Sequence, residues 1–178
     1  LLAVEVFHRN ALGSLANWAL SVSGSIYIGY PLGHFVRLRA LDQGLYWLLL
    51  ALVGTWISDS GAYFVGRAIG RRKLCPQISP HKTWEGVGGL RCFFKIFLAL
   101  IGRWLLGLTL PVGALLGALL VVGATLGDLA VSVIKRQVGV KDSSNLIPGH
   151  GGMLDRLDSL LFVVPIVYYF ALVAMRAS

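Results

Sequence analysis

The chain has 178 residues, 56% hydrophobic and only 13% charged, with a mean hydropathy of +0.74. Apolar residues gathered in long blocks at this density exclude an ordinary soluble domain and indicate an integral membrane protein. A net charge of +8 would suit a nucleic-acid binder, but the basic residues are dispersed among apolar segments without an aromatic and basic recognition motif. No nucleic acid is expected as a partner, and the excess reads as positive-inside charge and phosphate ligands.

The first residue is Leu, and no basic region leads into a short apolar core with a cleavage site, so no signal peptide is read. The chain is expected to be a fragment lacking N-terminal helices, a single membrane catalytic domain over residues 1–178. Residues 1–9, with Glu5, His8 and Arg9, read as the end of a preceding element or an interfacial segment. From Asn10 to Val36 there is no formally charged residue, enough for one crossing of a bilayer core that takes about 20 residues. Arg37, Arg39 and Asp42 mark a short loop. A helical pattern then runs from Gln43 through Asp59 to Gly66, before the cluster Arg67, Arg71, Arg72 and Lys73.

Pro76 and Pro80 break helix in the polar loop of about residues 67–85. Gly86 to Gly107 is the next apolar segment, interrupted by Arg91, Lys95 and Arg103, which line a wet groove or snorkel from the helix ends. Pro111 is placed to start a helix running to about Lys135. Within it Gly113 and Gly117, and Gly123 and Gly127, recur at the four-residue spacing that lets helix backbones approach in lipid. A second polar loop, about 135–158, leads to a last apolar segment from Ser159 to Met175. The expected fold is an all-α polytopic bundle with about five transmembrane helices. The two polar loops hold nine of the sixteen Lys and Arg residues and a helical hairpin separates them, so both are expected on the cytosolic side.

Six of the eight acidic residues (Asp59, Glu85, Asp128, Asp142, Asp155 and Asp158) lie in or beside these loops. Asp128 follows 24 uncharged residues. A carboxylate at that depth costs several kcal/mol unless it is paired, solvated or metal-bound. Its simplest structural explanation is an ion pair with Lys135, about two turns along the same helix. Asp155 and Asp158, three apart, share a face at the start of the last helix, where negative side chains also complement the helix dipole. Hard cations such as Mg²⁺ use one or two carboxylates together with substrate phosphates, so Asp128 and Asp155 on adjacent helices suit such a site. Lys135, Arg136, Lys141 and Arg156 in one loop and Lys82 in the other supply phosphate-binding cations. The turn Pro148-Gly149-His150-Gly151-Gly152 offers backbone N–H groups for close approach to phosphate. His150 could act as a general base or a phosphate ligand. Cys75 and Cys92 lack metal-site spacing. The chemistry implied is phosphoryl or nucleotidyl transfer onto a lipid at the membrane edge.

The run Ser132-x-x-Lys135-Arg136, then Lys141-Asp142, then Leu146-Ile147-Pro148-Gly149-His150-Gly151-Gly152-x-x-Asp155-Arg156-x-Asp158-Ser159 resembles the signature of the phosphatidate cytidylyltransferases, or CDP-diacylglycerol synthases. A companion stretch, Ser58-Asp59-Ser60-Gly61-Ala62-Tyr63 through Gly66-Arg67 to Ser79-Pro80-x-Lys82-Thr83-Trp84-Glu85-Gly86, is similar to that family's second landmark. The resemblance implies a membrane enzyme joining CTP and phosphatidic acid, with Mg²⁺ and in some members K⁺, among membrane lipids and with a homodimer left open. It implies Asp128 and Asp155 as metal ligands and Asp142 and Asp158 as their supports. Lys135, Arg136, Lys141 and Arg156 are implied to hold phosphates, with Ser132, Gly151 and Gly152 among the substrate-binding positions and His150 among the catalytic ones. Asp59, Ser79, Lys82, Thr83 and Glu85 belong to the segment implied to bind substrate. Two positions depart from the pattern: Val131 stands where the family commonly has Glu, and His81 where Lys is usual. The weighed alternatives are a CTP-dependent polyprenol or phytol kinase and, without the repeat it would need, an ion-coupled transporter using Asp59 and Asp128.

Overall fold

Five long helices and one small hairpin follow from the alternation of apolar blocks with Gly- and Pro-marked turns. The computed structural model describes residues 13–75, 79–140, 143 and 152–177. Helix α1 spans Ser14–Arg39 and α2 spans Gly44–Ile69, followed by strands β1 (Lys73–Cys75) and β2 (Ser79–Thr83). Helices α3 (Trp84–Leu106), α4 (Leu110–Val138) and α5 (Met153–Ala177) complete the chain. Pro31 sits inside α1 and Pro165 inside α5 without ending either helix, as neighbouring helices permit in membrane proteins.

The turn between α1 and α2 is tight: Gln43 adopts φ 52°, and its N–H donates to Asp42 Oδ1 at 3.0 Å. Gly44 is required there, because a Cβ would collide with the carbonyls of Leu38 and Arg39. Between α3 and α4, Gly107 takes the left-handed conformation at φ 66° and caps α3. Pro111 falls in the first turn of α4, as its missing N–H allows.

Helix α4 packs against α3 on one side and α5 on the other, and α1 closes against α5. Leu50, Leu98, Leu116, Leu120, Val163 and Val167 fill the shared core. In lipid, apolar contact between helices gains nothing from leaving water, so close van der Waals packing must hold them. The glycines of α4 supply it. A Cβ at Gly113 would stand 2.7 Å from Ala99 Cα on α3, and one at Gly123 would stand 2.6 Å from Ile166 Cδ1 on α5. At Gly127 the backbone of α5 comes as near as it can, with Asp158 O 2.5 Å from the Cβ position. The hydroxyls of Thr55 and Thr125 donate to carbonyls one turn back at 2.7 and 2.8 Å, which satisfies both donors within their own helices.

The outward faces are as apolar as the core. Leu115, Leu119, Val122 and Leu126 form an exposed stripe along α4, and Ile96, Leu100 and Trp104 another along α3. Among the described residues, Gly44–Ile69, Leu110–Val138 and Leu157–Arg176 are long and apolar enough to cross a membrane. This is an all-α polytopic membrane protein. The five expected segments all form helices, but α1 is diluted by Gly, Ser and Asn, and the predominantly apolar part of α3 is only the short stretch Ile96–Leu106. The expected plain loop of residues 67–85 contains the β1–β2 hairpin instead, pairing Lys73 with Thr83 and Cys75 with Ser79. Helix order places this hairpin, the end of α4 and the start of α5 at one end of the bundle.

Adding a methyl group at Gly127 must push α4 and α5 apart. Gly127→Ala is expected to destabilise the protein by about 1–3 kcal/mol. Gly88→Ala, where a Cβ meets nothing within 4 Å, should be neutral or slightly stabilising. Thermal unfolding of both variants in detergent checks this, and equal stability would contradict the packing described.

Candidate active site

Three carboxylates on three helices converge below the hairpin: Asp59 on α2, Asp128 on α4 and Asp158 on α5. Gly127 creates the convergence, because its missing side chain lets α4 touch the α5 backbone at Asp158 and Ser159. The Asp158 carboxyl consequently lies close to that of Asp128, each in the field of the other. Asp59 lies in the field of both and near the Ser159 side chain. Asp158 Oδ1 also accepts the Ser159 N–H at 2.6 Å, and Ser132 Oγ donates weakly to Asp128 Oδ1 at 3.4 Å.

Lys82, on β2, supplies the compensating charge. Its ammonium pairs with Asp128 Oδ2, both groups being about three-quarters shielded from solvent. The structural explanation offered for Asp128, a pair with Lys135, is therefore corrected. Lys135 reaches across the seam instead, donating to Asp155 Oδ1 at 2.8 Å. A side chain seven positions along one helix is less accessible than one presented by a hairpin folded over the carboxylate.

Asp155 is the best-bonded carboxylate of the site. Besides Lys135, it accepts from Ser143 N at 2.8 Å, Ser143 Oγ at 2.9 Å and Gly152 N at 3.1 Å. Burial would push its carboxyl up, but the Lys135 ammonium, the two Ser143 donors and the Gly152 N–H outweigh it and hold the group at about 2. Ser143 was not singled out from sequence; a serine just after Lys141-Asp142 carries no spacing signal.

The remaining predicted residues separate into supports and undescribed positions. Thr83 is buried and caps α3, its Oγ1 accepting Gly86 N at 3.1 Å. Cβ atoms at Gly66 and Gly70 would both crowd that oxygen, so these glycines let α2 meet the hairpin. Glu85 accepts the Arg71 and Arg72 N–H groups at 3.1 Å. Its carboxyl, hydrogen-bonded first by its own N–H and then by that of Arg72, lies below its ordinary range. Arg136 stands in the last turn of α4. Lys141, Asp142, His150 and Gly151 lie outside the described residues, and the side chains of Ser79, His81 and Arg156 are likewise outside the description. Val131, the departure from the expected Glu, is fully buried, which suits its apolar side chain.

Among the described residues no group of three or more His, Cys, Asp or Glu side chains stands ready to hold a metal ion. The donor chemistry nevertheless fits a hard cation that uses two carboxylates and completes its shell with phosphate and water. Asp128 and Asp155, the two nominated ligands, each already hold an ammonium group on one oxygen.

The model of the cytidylyltransferase family matches residues 1–174. The chain belongs to that family. This cytidylyltransferase-family chain is 48% identical over 148 residues to a phosphatidate cytidylyltransferase of Bacillus subtilis, covering 82% of the chain and 55% of that relative. It is 49% identical over 133 residues to the Haemophilus influenzae protein of the same name, covering 72% of the chain and 46% of that relative. With the Staphylococcus haemolyticus protein, also so named, identity is 38% over 168 residues, covering 94% of the chain and 64% of the relative. The chain thus spans about half to two thirds of the length of these relatives.

The Asp155 network has a pH signature. Its folded carboxyl sits below the roughly 3.9 of an unfolded Asp, so the stability it contributes is complete above that value and lost as pH falls towards 2. Asp155→Asn should cost about 1 kcal/mol at pH 7, discounting for solvent around the group. It should also flatten the loss of stability between pH 4 and 2. Acid unfolding of parent and variant, followed by circular dichroism, checks both.

Proposed function

We propose that this protein catalyses nucleotidyl transfer from CTP to phosphatidic acid, giving CDP-diacylglycerol and pyrophosphate. The observation that carries the reading is the pair of lysine-matched carboxylates, Lys82 with Asp128 and Lys135 with Asp155, on facing elements at one end of the bundle. Carboxylates matched to mobile ammonium groups suit a metal-bound polyphosphate: the carboxylates take the cation and the freed ammonium groups take phosphate oxygens. Asp128 and Asp155 would hold Mg²⁺, with K⁺ as an accessory ion, and the bound cation would supply charge that neutralises the triphosphate. Asp158 and Ser132 hold Asp128 in place, while Ser143 and Gly152 fix Asp155. Lys82, Lys135 and Arg136, with Lys141 and Arg156 from the signature, grip the phosphates. The names of the relatives support the choice of CTP and phosphatidate.

In the reaction a phosphate oxygen of the lipid attacks the α-phosphorus of CTP. The new P–O bond forms as the bond to the β-phosphate oxygen breaks, and pyrophosphate leaves. This nucleophile is ionised at neutral pH, so positioning and charge neutralisation carry the catalysis and no strong base is needed. Among the described residues, Arg67, Arg71, Arg72, Lys73, Lys82, Lys135 and Arg136 lie at the site end of the bundle, against Arg37, Arg39, Arg103 and Arg176 at the other. That asymmetry supports a cytosolic site, and the bacterial relatives support the inner membrane.

Two labels distinguish the reaction from its rivals. Full-length protein given phosphatidic acid, Mg²⁺ and CTP should move an α-phosphate label into lipid and release a γ-phosphate label as pyrophosphate. Asp128→Asn should lower this rate on the order of 100-fold or more. A γ-label in lipid would identify a kinase instead, and parent-like turnover by Asp128→Asn would remove this site from the reaction.

A further inference from the structure

Helix α1 contributes no charged group to the site, yet it presents one polar atom towards it. The Tyr27 hydroxyl is fully buried and has no hydrogen-bond partner among the described residues. Its ring packs edge-on against Phe162 of α5, with centroids 6.3 Å apart. Phe162 lies one turn beyond Asp158 on the same face of that helix, and the phenol lies in the field of the Asp158 carboxylate. Tyr27 therefore stands beside the carboxylate cluster, one turn of α5 beyond Asp158.

The other polar groups along this face of α1 are satisfied. His34 Nδ1 bonds to Tyr30 O at 2.8 Å, and the Tyr30 and Tyr169 hydroxyls meet at 3.0 Å. A buried hydroxyl without a partner is costly, and groups of this kind in a native protein mark strain or an absent ligand. Because the phenol is a neutral donor beside carboxylates, its natural partner is an oxygen acceptor arriving at the site. The exposed apolar neighbours of Tyr27, Ile26 and Ile28, favour a lipid over a nucleotide as the bearer of that oxygen.

We infer that Tyr27 binds the lipid substrate, its hydroxyl donating to a headgroup oxygen of the phosphorylated lipid beside Asp158. This rests on the proposed transfer to phosphatidic acid and adds a lipid-specific contact that none of the signature residues provides. Tyr27→Phe removes the hydroxyl and keeps the ring against Phe162, so the fold should survive. The full-length variant should show a KM for phosphatidic acid raised about 10-fold, the value of one net hydrogen bond. Its KM for CTP should stay within two-fold of the parent, and its melting temperature without lipid should be equal or higher. An unchanged lipid KM, a fall in kcat alone, or parallel rises in both KM values would overturn the assignment. A turnover-free arm separates this idea from the reaction itself: short-chain phosphatidic acid should raise the melting temperature of the parent more than that of Tyr27→Phe. Equal shifts refute the contact even if CTP transfer is confirmed, while a larger parent shift sustains it even if transfer is not.

Discussion

A carboxylate at the edge of a bilayer must be matched by a cation, and the Asp128 pair with Lys82 answers that requirement here. Asp128 is fixed on the long apolar helix α4, while Lys82 arrives on a strand that belongs to neither neighbouring helix. The pair thus ties the β1–β2 hairpin to the bundle. Thr83 and Glu85 hold the same hairpin from the other side, through the α3 cap and the backbone of Arg71 and Arg72. Lys135 with Asp155 repeats the device between α4 and the start of α5. Without these two pairs, several negative groups would face one another in a poorly solvated seam, at a cost that helix packing alone would struggle to offset.

Close approach of the helices is the second condition. Gly127 brings the α4 backbone against Asp158 and Ser159, and this fixes which carboxylates meet. The same residue therefore serves packing and chemistry. A bulkier residue would separate the helices and spread the negative groups, weakening the field that suits a cation. Gly66 and Gly70 play a similar part where α2 meets Thr83. In a protein whose apolar surfaces contact lipid as readily as one another, small residues decide register.

Much of this was legible in the chain because apolar block length and Gly and Pro punctuation are local signals. The helices over Gly44–Ile69 and Leu110–Val138, the Pro111 start and the packing role of the α4 glycines all follow from such signals. The concentration of Asp59, Asp128, Asp155 and Asp158 beside the polar segments was also readable, and in the structure these residues gather at one end of the bundle. The hairpin was not legible, since strands of three and five residues containing Lys, His and Pro80 have little β propensity. Nor was the partner of Asp128, because a tertiary pair between a strand and a helix leaves no periodic trace. Asp155 and Asp158 share one helix face, and only the register of α5 on Gly127 places Asp158 beside Asp128 while Lys135 takes Asp155. Tyr27 was passed over because one tyrosine in an uncharged segment resembles ordinary membrane packing until its hydroxyl is seen to lack a partner among the described residues.

The central claim is that the lysine-matched carboxylates at the α4–α5 seam form a divalent-cation site. Binding of Mn²⁺ to the full-length protein, followed by electron paramagnetic resonance with and without CTP, tests it most directly. The account predicts protein-bound Mn²⁺ in the parent, strongly reduced in both Asp128→Asn and Asp155→Asn. Parent-like Mn²⁺ binding in both variants would contradict it.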